Sequence, residues 1–150
     1  MEHSEFFPDS FHCVTIKGLY VKDGKVLLVR EREKQTPWEM PGGGLDFGED
    51  IKEGLKREVR EEMGLNVTKI SEKPVYVWTY KYPPNSRKVG WYYSFVVVFR
   101  VEFEHLNITP TDECEAVEFF SKEELQSLPL SGQAKKLAEL FDPQDFEKPF

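Results

Sequence analysis

Glu58, Glu61 and Glu62 put three carboxylates within five residues of a chain that also carries Gly42, Gly43 and Gly44 shortly upstream. On a helix, at about 100° per residue, Glu58 and Glu62 stand one above the other and Glu61 sits on the flank of the same face. Neither Glu58 nor Glu62 has a base four residues away, whereas Arg57 and Glu61 form one such pair. Two carboxylates about 5 Å apart repel by roughly 3 kcal/mol at an effective dielectric near 20, so a cation is expected between them. An oxygen-only donor set suits a hard divalent ion, Mg²⁺ or Mn²⁺, which keeps some waters and takes phosphate oxygens as its remaining ligands; zinc fits less well.

The elements that must hold these carboxylates are legible nearby. Gly42 to Gly44 follow Pro41 and permit tight backbone with positive φ. Gly48, Glu49 and Asp50 place acids where a helix N-terminus favours them, so a helix is expected to start near Asp50. Ile51, Leu55, Val59 and Met63 recur every four residues as one apolar stripe, and Gly64 is the stop expected at a C-terminal cap. Gly54 lies in the helix interior on the side of Glu58 and Glu61, where glycine costs about 0.5–1 kcal/mol relative to alanine. It either leaves room for metal or phosphate or allows close packing of another element.

Residues 43–65 resemble the Nudix box in full. The signature G-x5-E-x7-R-E-U-x-E-E-x-G-U, with U a bulky aliphatic residue, is matched by Gly43, Glu49, Arg57, Glu58, Val59, Glu61, Glu62, Gly64 and Leu65. A solvated acidic helix after a glycine turn is the plain alternative. Nine specified positions, in the loop-then-helix context the motif requires, outweigh it. The strand at 26–30, the approach at 38–43 and the segment at 113–125 are also similar to this family.

Length and composition bound the rest. The 150 residues, 39% hydrophobic and 14% aromatic, can bury one core, so a single domain over residues 1–150 is expected. No run of 18 apolar residues occurs and the first five residues are acidic rather than basic, which predicts a soluble, cytoplasmic protein with no membrane partner. Cys13 and Cys114 have no metal or redox spacing and read as free thiols. The net charge of −7 weighs against nucleic acid and anionic membranes, yet leaves small phosphorylated ligands open, because a bound metal supplies local positive charge.

Along the chain there is no repeat, low-complexity tract or domain linker. Residues 12–21 and 25–30 read as a hairpin joined at Asp23-Gly24, a type I′ signal. Residues 38–40 read as a short strand running into the glycines. Residues 67–82 and 90–103 read as neighbouring strands, separated by a turn at 83–86, and residues 116–120 as a last strand. Ser121 to Glu124 form a capping box, and residues 131–141 a second helix with Ala134, Leu137, Ala138 and Phe141 inward. Strands interleaved with helices make a layered α/β domain. The resemblance implies more: an α/β/α sandwich with a mixed, curved sheet and a cleft beside the glycine loop.

The resemblance also implies an activity, hydrolysis of a nucleoside diphosphate linked to another moiety, by attack of water on phosphorus. It assigns Glu58 and Glu62 as metal ligands, with the Gly42 carbonyl as a third. Glu61 becomes either a ligand or the group that orients or deprotonates the water. Arg57 and Glu49 are expected to form an ion pair holding loop to helix beside Gly43. Many relatives add an acid before the last strand, for which Glu113 aligns best and Glu115 second. The implied cofactor is Mg²⁺ with Mn²⁺ as substitute, the implied partner a small nucleotide, and a homodimer is consistent with the family.

Substrate identity is thinly encoded, and no substrate-binding residue is assigned. Arg30, Arg32 and Lys34 alternate with acids and read as a solvated strand end rather than a phosphate clamp. Trp38, Trp78, Tyr80, Tyr82, Trp91, Tyr92 and Tyr93 include base-stacking candidates, but strand aromatics generally pack in cores or across strands. Tyr82 and Pro83 each resemble a marker of a different subfamily, and a hairpin turn is the simpler reading of both. His3, His12 and His105 lack partners at metal or triad spacing. The reading is a general nucleotide diphosphatase. Its alternatives are a 5′-end RNA pyrophosphohydrolase of decapping type and a nucleotide-binding regulatory module.

Overall fold

The computed structural model describes residues 11–31, 37–83 and 92–150. Its centre is β7 (Tyr92–Phe103), paired in parallel along one edge with β1 (Phe11–Leu19) and antiparallel along the other with two strands in turn. β6 (Tyr76–Lys81) covers its first half and β5 (Val67–Ile70) its end, with a bulge between Val67 and Lys69. On the far side of β1 lies β4 (Gly42–Gly44), antiparallel, with Lys17 opposite Gly42. A second antiparallel sheet runs β2 (Val21–Lys22), β3 (Lys25–Arg30), β8 (Ala116–Phe120).

β3 and residues 96–99 of β7 read as apolar runs because both of their faces are covered, whereas β6 alternates and leaves Val77 exposed. In β7, Val97, Phe99 and Val101 face one core together with Leu27 and Val29 of β3. Val96 and Val98, with Val26 and Leu28, face the other. The first core is closed by α1 (Ile51–Met63) through Leu55, Val59 and Met63, each worth about 1.5–3 kcal/mol on burial. The second is closed by α2 (Lys122–Leu125), α3 (Lys135–Leu140) and a 3₁₀ turn at Pro143–Phe146. This is the expected α/β/α layering around curved, mixed sheets.

Both ends of α1 follow the sequence reading. The Asp50 carboxylate accepts from the N–H groups of Lys52 and Glu53, and Gly64 closes the helix at φ 68° with its N–H on the Arg60 carbonyl. The Ser121 capping box opens α2 as expected.

Other elements depart from expectation. The Asp23-Gly24 turn is present, with φ of 52° and 75°, but the strand before it breaks at Tyr20: residues up to Leu19 belong to one sheet and Val21–Lys22 to the other. The Tyr20 ring packs against Phe103 and Phe119, so this residue turns the corner between sheets. Residues 67–82 are two strands, interrupted around Pro74, which has no N–H to continue the ladder. Trp38 and Glu39 make isolated bridges to Leu130 and Val29, while the glycines themselves form β4. Of those glycines only Gly42 has positive φ, at 125°. The helix expected over 131–141 opens with a 3₁₀ turn at Gly132–Ala134 and ends at Leu140. Gly90, Trp91 and most of the turn at 83–86 lie outside the described residues, as do His3, Arg32 and Lys34.

Candidate active site

β4 and α1 meet at a close contact that glycine alone permits. The Glu58 carboxylate lies against Gly43, where a Cβ would stand 2.5 Å from Oε2. One residue earlier, a Cβ on Gly42 would meet the Ile16 carbonyl oxygen at 2.2 Å. The loop between β4 and α1 is folded by Glu49, whose N–H reaches the Asp46 carbonyl at 3.1 Å while Oε1 accepts from the Asp46 N–H at 3.2 Å.

Arg57 ties this loop to the helix. Its Nε donates to Glu49 Oε2 at 2.7 Å and its Nη2 to Glu49 Oε1 at 2.9 Å, a bidentate pair, and Nη2 also reaches the Gly44 carbonyl at 3.1 Å. Nη1 donates to Glu58 Oε1 at 2.9 Å and Glu61 Oε2 at 3.2 Å. The guanidinium holds the Glu49 carboxyl below the usual carboxylate range, and Glu49, then Glu58, hold the guanidinium charged.

Glu62 faces inward. Its Oε1 accepts from the Gly42 N–H at 3.3 Å. Burial pushes its pKa up to about 8; the Lys17 charge and the Gly42 N–H pull it down, and the Glu39 and Glu58 carboxylates add to the rise. Beside it, burial and the Glu62 carboxylate push the Cys114 thiol up to about 11, which makes it a packing group rather than a nucleophile.

A cleft of about 520 Å³ is lined by Gly42, Gly43, Glu58, Glu62, Asp112 and Glu113, together with Lys17, Glu39, Ser131 and Gln133. A neighbouring pocket of about 300 Å³ shares Lys17, Gly43, Glu58 and Gln133 and adds Thr15, Asp46 and Tyr82. Glu58, Glu62, Gly42, Gly43 and Glu113 are thus brought to one surface. Glu61 is exposed, outside both linings and paired to Arg57. Glu113 has its N–H on Thr111 Oγ1, whose hydroxyl donates to the Glu62 carbonyl at 2.8 Å, so the loop is docked on the end of α1. Glu115 instead pairs with Arg30 at 3.1 Å, and Arg30 stacks on Trp38.

These residues fit a hard divalent ion. The donors are carboxylate and carbonyl oxygens, and Glu62 carries an electrostatic penalty that a cation would relieve. Among the described residues no three Asp, Glu, His or Cys side chains already converge, because Glu58 is turned to Arg57 and Glu62 to Gly42. Gly54 is settled as packing: a Cβ there would meet Glu49 Oε1 and Leu45 Cδ1 at 2.7 Å and Ile16 Cδ1 at 2.9 Å, so it leaves no room for an ion.

Several lining residues were not singled out from sequence. Lys17 left a signal, a lone charge inside an apolar strand. Glu39 and Ser131 are joined by a hydrogen bond, and Gln133 donates through Nε2 to the Tyr82 hydroxyl and, at 3.4 Å, to Thr15 Oγ1. Gln133 has no local marker; it arrives from beyond β8. Tyr82 is a cleft residue and not only part of a turn. Trp38 and Trp78 are core, the latter donating to the Gln133 carbonyl at 2.9 Å. His12 stacks near Tyr93, and His105 accepts from the Asn107 N–H.

Known proteins resemble this chain in sequence and in fold. The family model described as NUDIX domain matches residues 13–141. An RNA pyrophosphohydrolase from a Wolbachia of Brugia malayi is 32% identical over 115 residues, covering 71% of each chain. One from Campylobacter jejuni is 30% identical over 84 residues, 55% of this chain, which spans only about half (53%) of that relative's length. The crystal structure of a MutT protein from Methanosarcina mazei superposes with TM-score 0.72 over 95% of this chain and all of that one, at 20% identity, a likeness of fold. Among the described residues no helix is long and apolar enough to cross a membrane.

Proposed function

Because the chain belongs to the NUDIX domain family, we propose that it is a Mg²⁺-dependent hydrolase that cleaves the diphosphate linkage of a nucleoside diphosphate joined to another moiety. Nucleoside triphosphates, ADP-ribose and dinucleoside polyphosphates are the candidate substrates. The observation that carries this reading is the meeting of Glu58, Glu62 and the Gly42 segment on one cleft wall, with the acid of Glu113 on the rim.

In this reading Glu58, Glu62 and the Gly42 carbonyl hold the ion, with Mn²⁺ as substitute. The ion, when bound, neutralises charge on the diphosphate oxygens and lowers the pKa of water. Arg57 and Glu49 fix the loop on which Gly42 and Gly43 sit. Glu61, on the helix flank, or Glu113, on the rim, accepts the proton of the attacking water. The chain acts as one cytoplasmic domain.

The relatives named RNA pyrophosphohydrolase raise a second reading, a 5′-end RNA enzyme. The cleft's acidic lining, with Glu31, Asp112 and Glu113 on it, favours a small phosphorylated substrate met by the ion over a strand that needs a basic path. Assays with and without Mg²⁺ over nucleoside triphosphates, ADP-ribose, dinucleoside polyphosphates and 5′-triphosphorylated or capped RNA separate the two. Metal-dependent product from the small substrates is the expected result. Product from RNA alone would favour the second reading, and tight binding without product would favour a regulatory module.

A further inference from the structure

Lys17 is 4% exposed in a strand whose neighbours Ile16 and Leu19 are wholly buried. A charge so placed is retained only where polar partners replace water. Among the described residues its hydrogen-bonding partners are two backbone carbonyls, Met40 O and Gly42 O, each at 3.1 Å; the nearest described carboxylate, Glu39 Oε1, lies at 3.8 Å, beyond hydrogen-bond reach. An ammonium has three N–H groups, so one remains for a further acceptor. Among the described residues lining the two adjoining pockets, Lys17 is the single basic one, facing Glu39, Glu58 and Glu62 in one and Asp46 and Glu58 in the other. The protein has thus built a monovalent cation onto the carbonyl that would meet a divalent one.

We propose that Lys17 is the resident counter-cation of this site, competing with a divalent ion for the Gly42 carbonyl and so tying tight metal binding to the arrival of a phosphate. The competition is electrostatic: two cations sharing one carbonyl oxygen repel, and the carboxylates that attract the ion are already partly neutralised by the ammonium. A phosphate in either pocket offers the ammonium an anionic acceptor, which weakens its hold on Gly42. By linkage, metal and phosphate then raise each other's affinity by one common factor, within the roughly 5–150-fold usual for such coupling. Lys17 is in this account a positioning residue, acting through the carbonyl it holds.

The proposal rests on the metal reading above, and Mn²⁺ binding followed by electron paramagnetic resonance separates their failures. Wild type, Lys17→Met and Lys17→Arg are titrated without nucleotide, then with a nucleotide whose diphosphate bridge is methylene, correcting for Mn²⁺ held by the nucleotide alone. Without nucleotide, Lys17→Met is expected to bind Mn²⁺ about tenfold or more tightly than wild type, with Lys17→Arg near wild type. The nucleotide is expected to tighten Mn²⁺ binding about tenfold in wild type and by a smaller factor in Lys17→Met. Equal or weaker binding by a folded Lys17→Met, while wild type binds, overturns the role of Lys17 and leaves the metal reading standing. Should Lys17→Met not fold, a change below about twofold on adding nucleotide to wild type overturns the proposal. No Mn²⁺ binding by wild type with nucleotide present overturns both readings.

Discussion

The carboxylate of Glu58 rests on the α-carbon of Gly43, so close that a methyl group there would stand 2.5 Å from its oxygen. The neighbour that would have to move is the proposed metal ligand itself. Gly43→Ala is therefore expected to push Glu58 away while leaving both cores untouched. Turnover should fall about 100-fold or more with little change in the unfolding midpoint, read by steady-state kinetics and urea denaturation. Unchanged kinetics would show that Glu58 can retreat without loss.

Glu62 makes metal-free stability depend on pH. Its pKa in the folded protein, about 8 against an ordinary 4.5, means that the folded state holds this proton more tightly than the unfolded chain. The stabilisation is complete below about pH 4.5 and is lost as pH rises through about 8. In EDTA the protein should lose on the order of a few kcal/mol between pH 5 and pH 8.5 from this group. Glu62→Gln should flatten that slope and cut turnover by orders of magnitude while keeping the fold. Saturating Mg²⁺ should flatten the slope in wild type, and near-normal turnover in the variant would contradict the metal assignment.

Arg57 supports the site without lining either pocket. Arg57→Lys keeps the charge and loses the two-pronged grip on Glu49 and the bond to the Gly44 carbonyl. Loss of such supporting contacts costs about 10–100-fold in activity or metal affinity. The decrease should appear in kcat more than in KM, and wild-type kcat in the variant would assign Arg57 to the surface.

Gly54→Ala tests the packing assignment. Alanine gains up to about 1 kcal/mol in helix propensity, but the methyl would overlap Leu45, Ile16 and Glu49. Overpacking of this kind costs about 1–3 kcal/mol. A net loss of stability is expected in urea, with Mn²⁺ affinity nearly unchanged. A stable variant that bound metal poorly would restore the spacer reading.

Glu113 and Glu115 separate by position. Glu113→Gln, on the cleft rim, is expected to lower kcat about 100-fold or more, in the range of a general acid–base group. Glu115→Gln breaks an exposed pair with Arg30 and should leave kinetics at wild type. Equal effects of the two would remove Glu113 from the reaction.

What the chain determines by itself is local. Asp50 and Gly64 bound α1 because capping needs only a side-chain oxygen at one end and a left-handed residue at the other. Ser121 opens α2 for the same reason, and the carboxylates of Glu58 and Glu62 share a face because helical periodicity leaves no choice. Their partners were decided by long-range pairing. Lys17 meets Gly42 because β1 and β4 are antiparallel neighbours, and the corner at Tyr20 assigns one apolar stretch to two sheets. Gln133 and Tyr82 come together across some fifty residues of sequence with nothing in either segment to announce it. In β3, buried on both faces, alternation disappears from the sequence, so its register, and with it part of the cleft wall, existed only once the layers had packed.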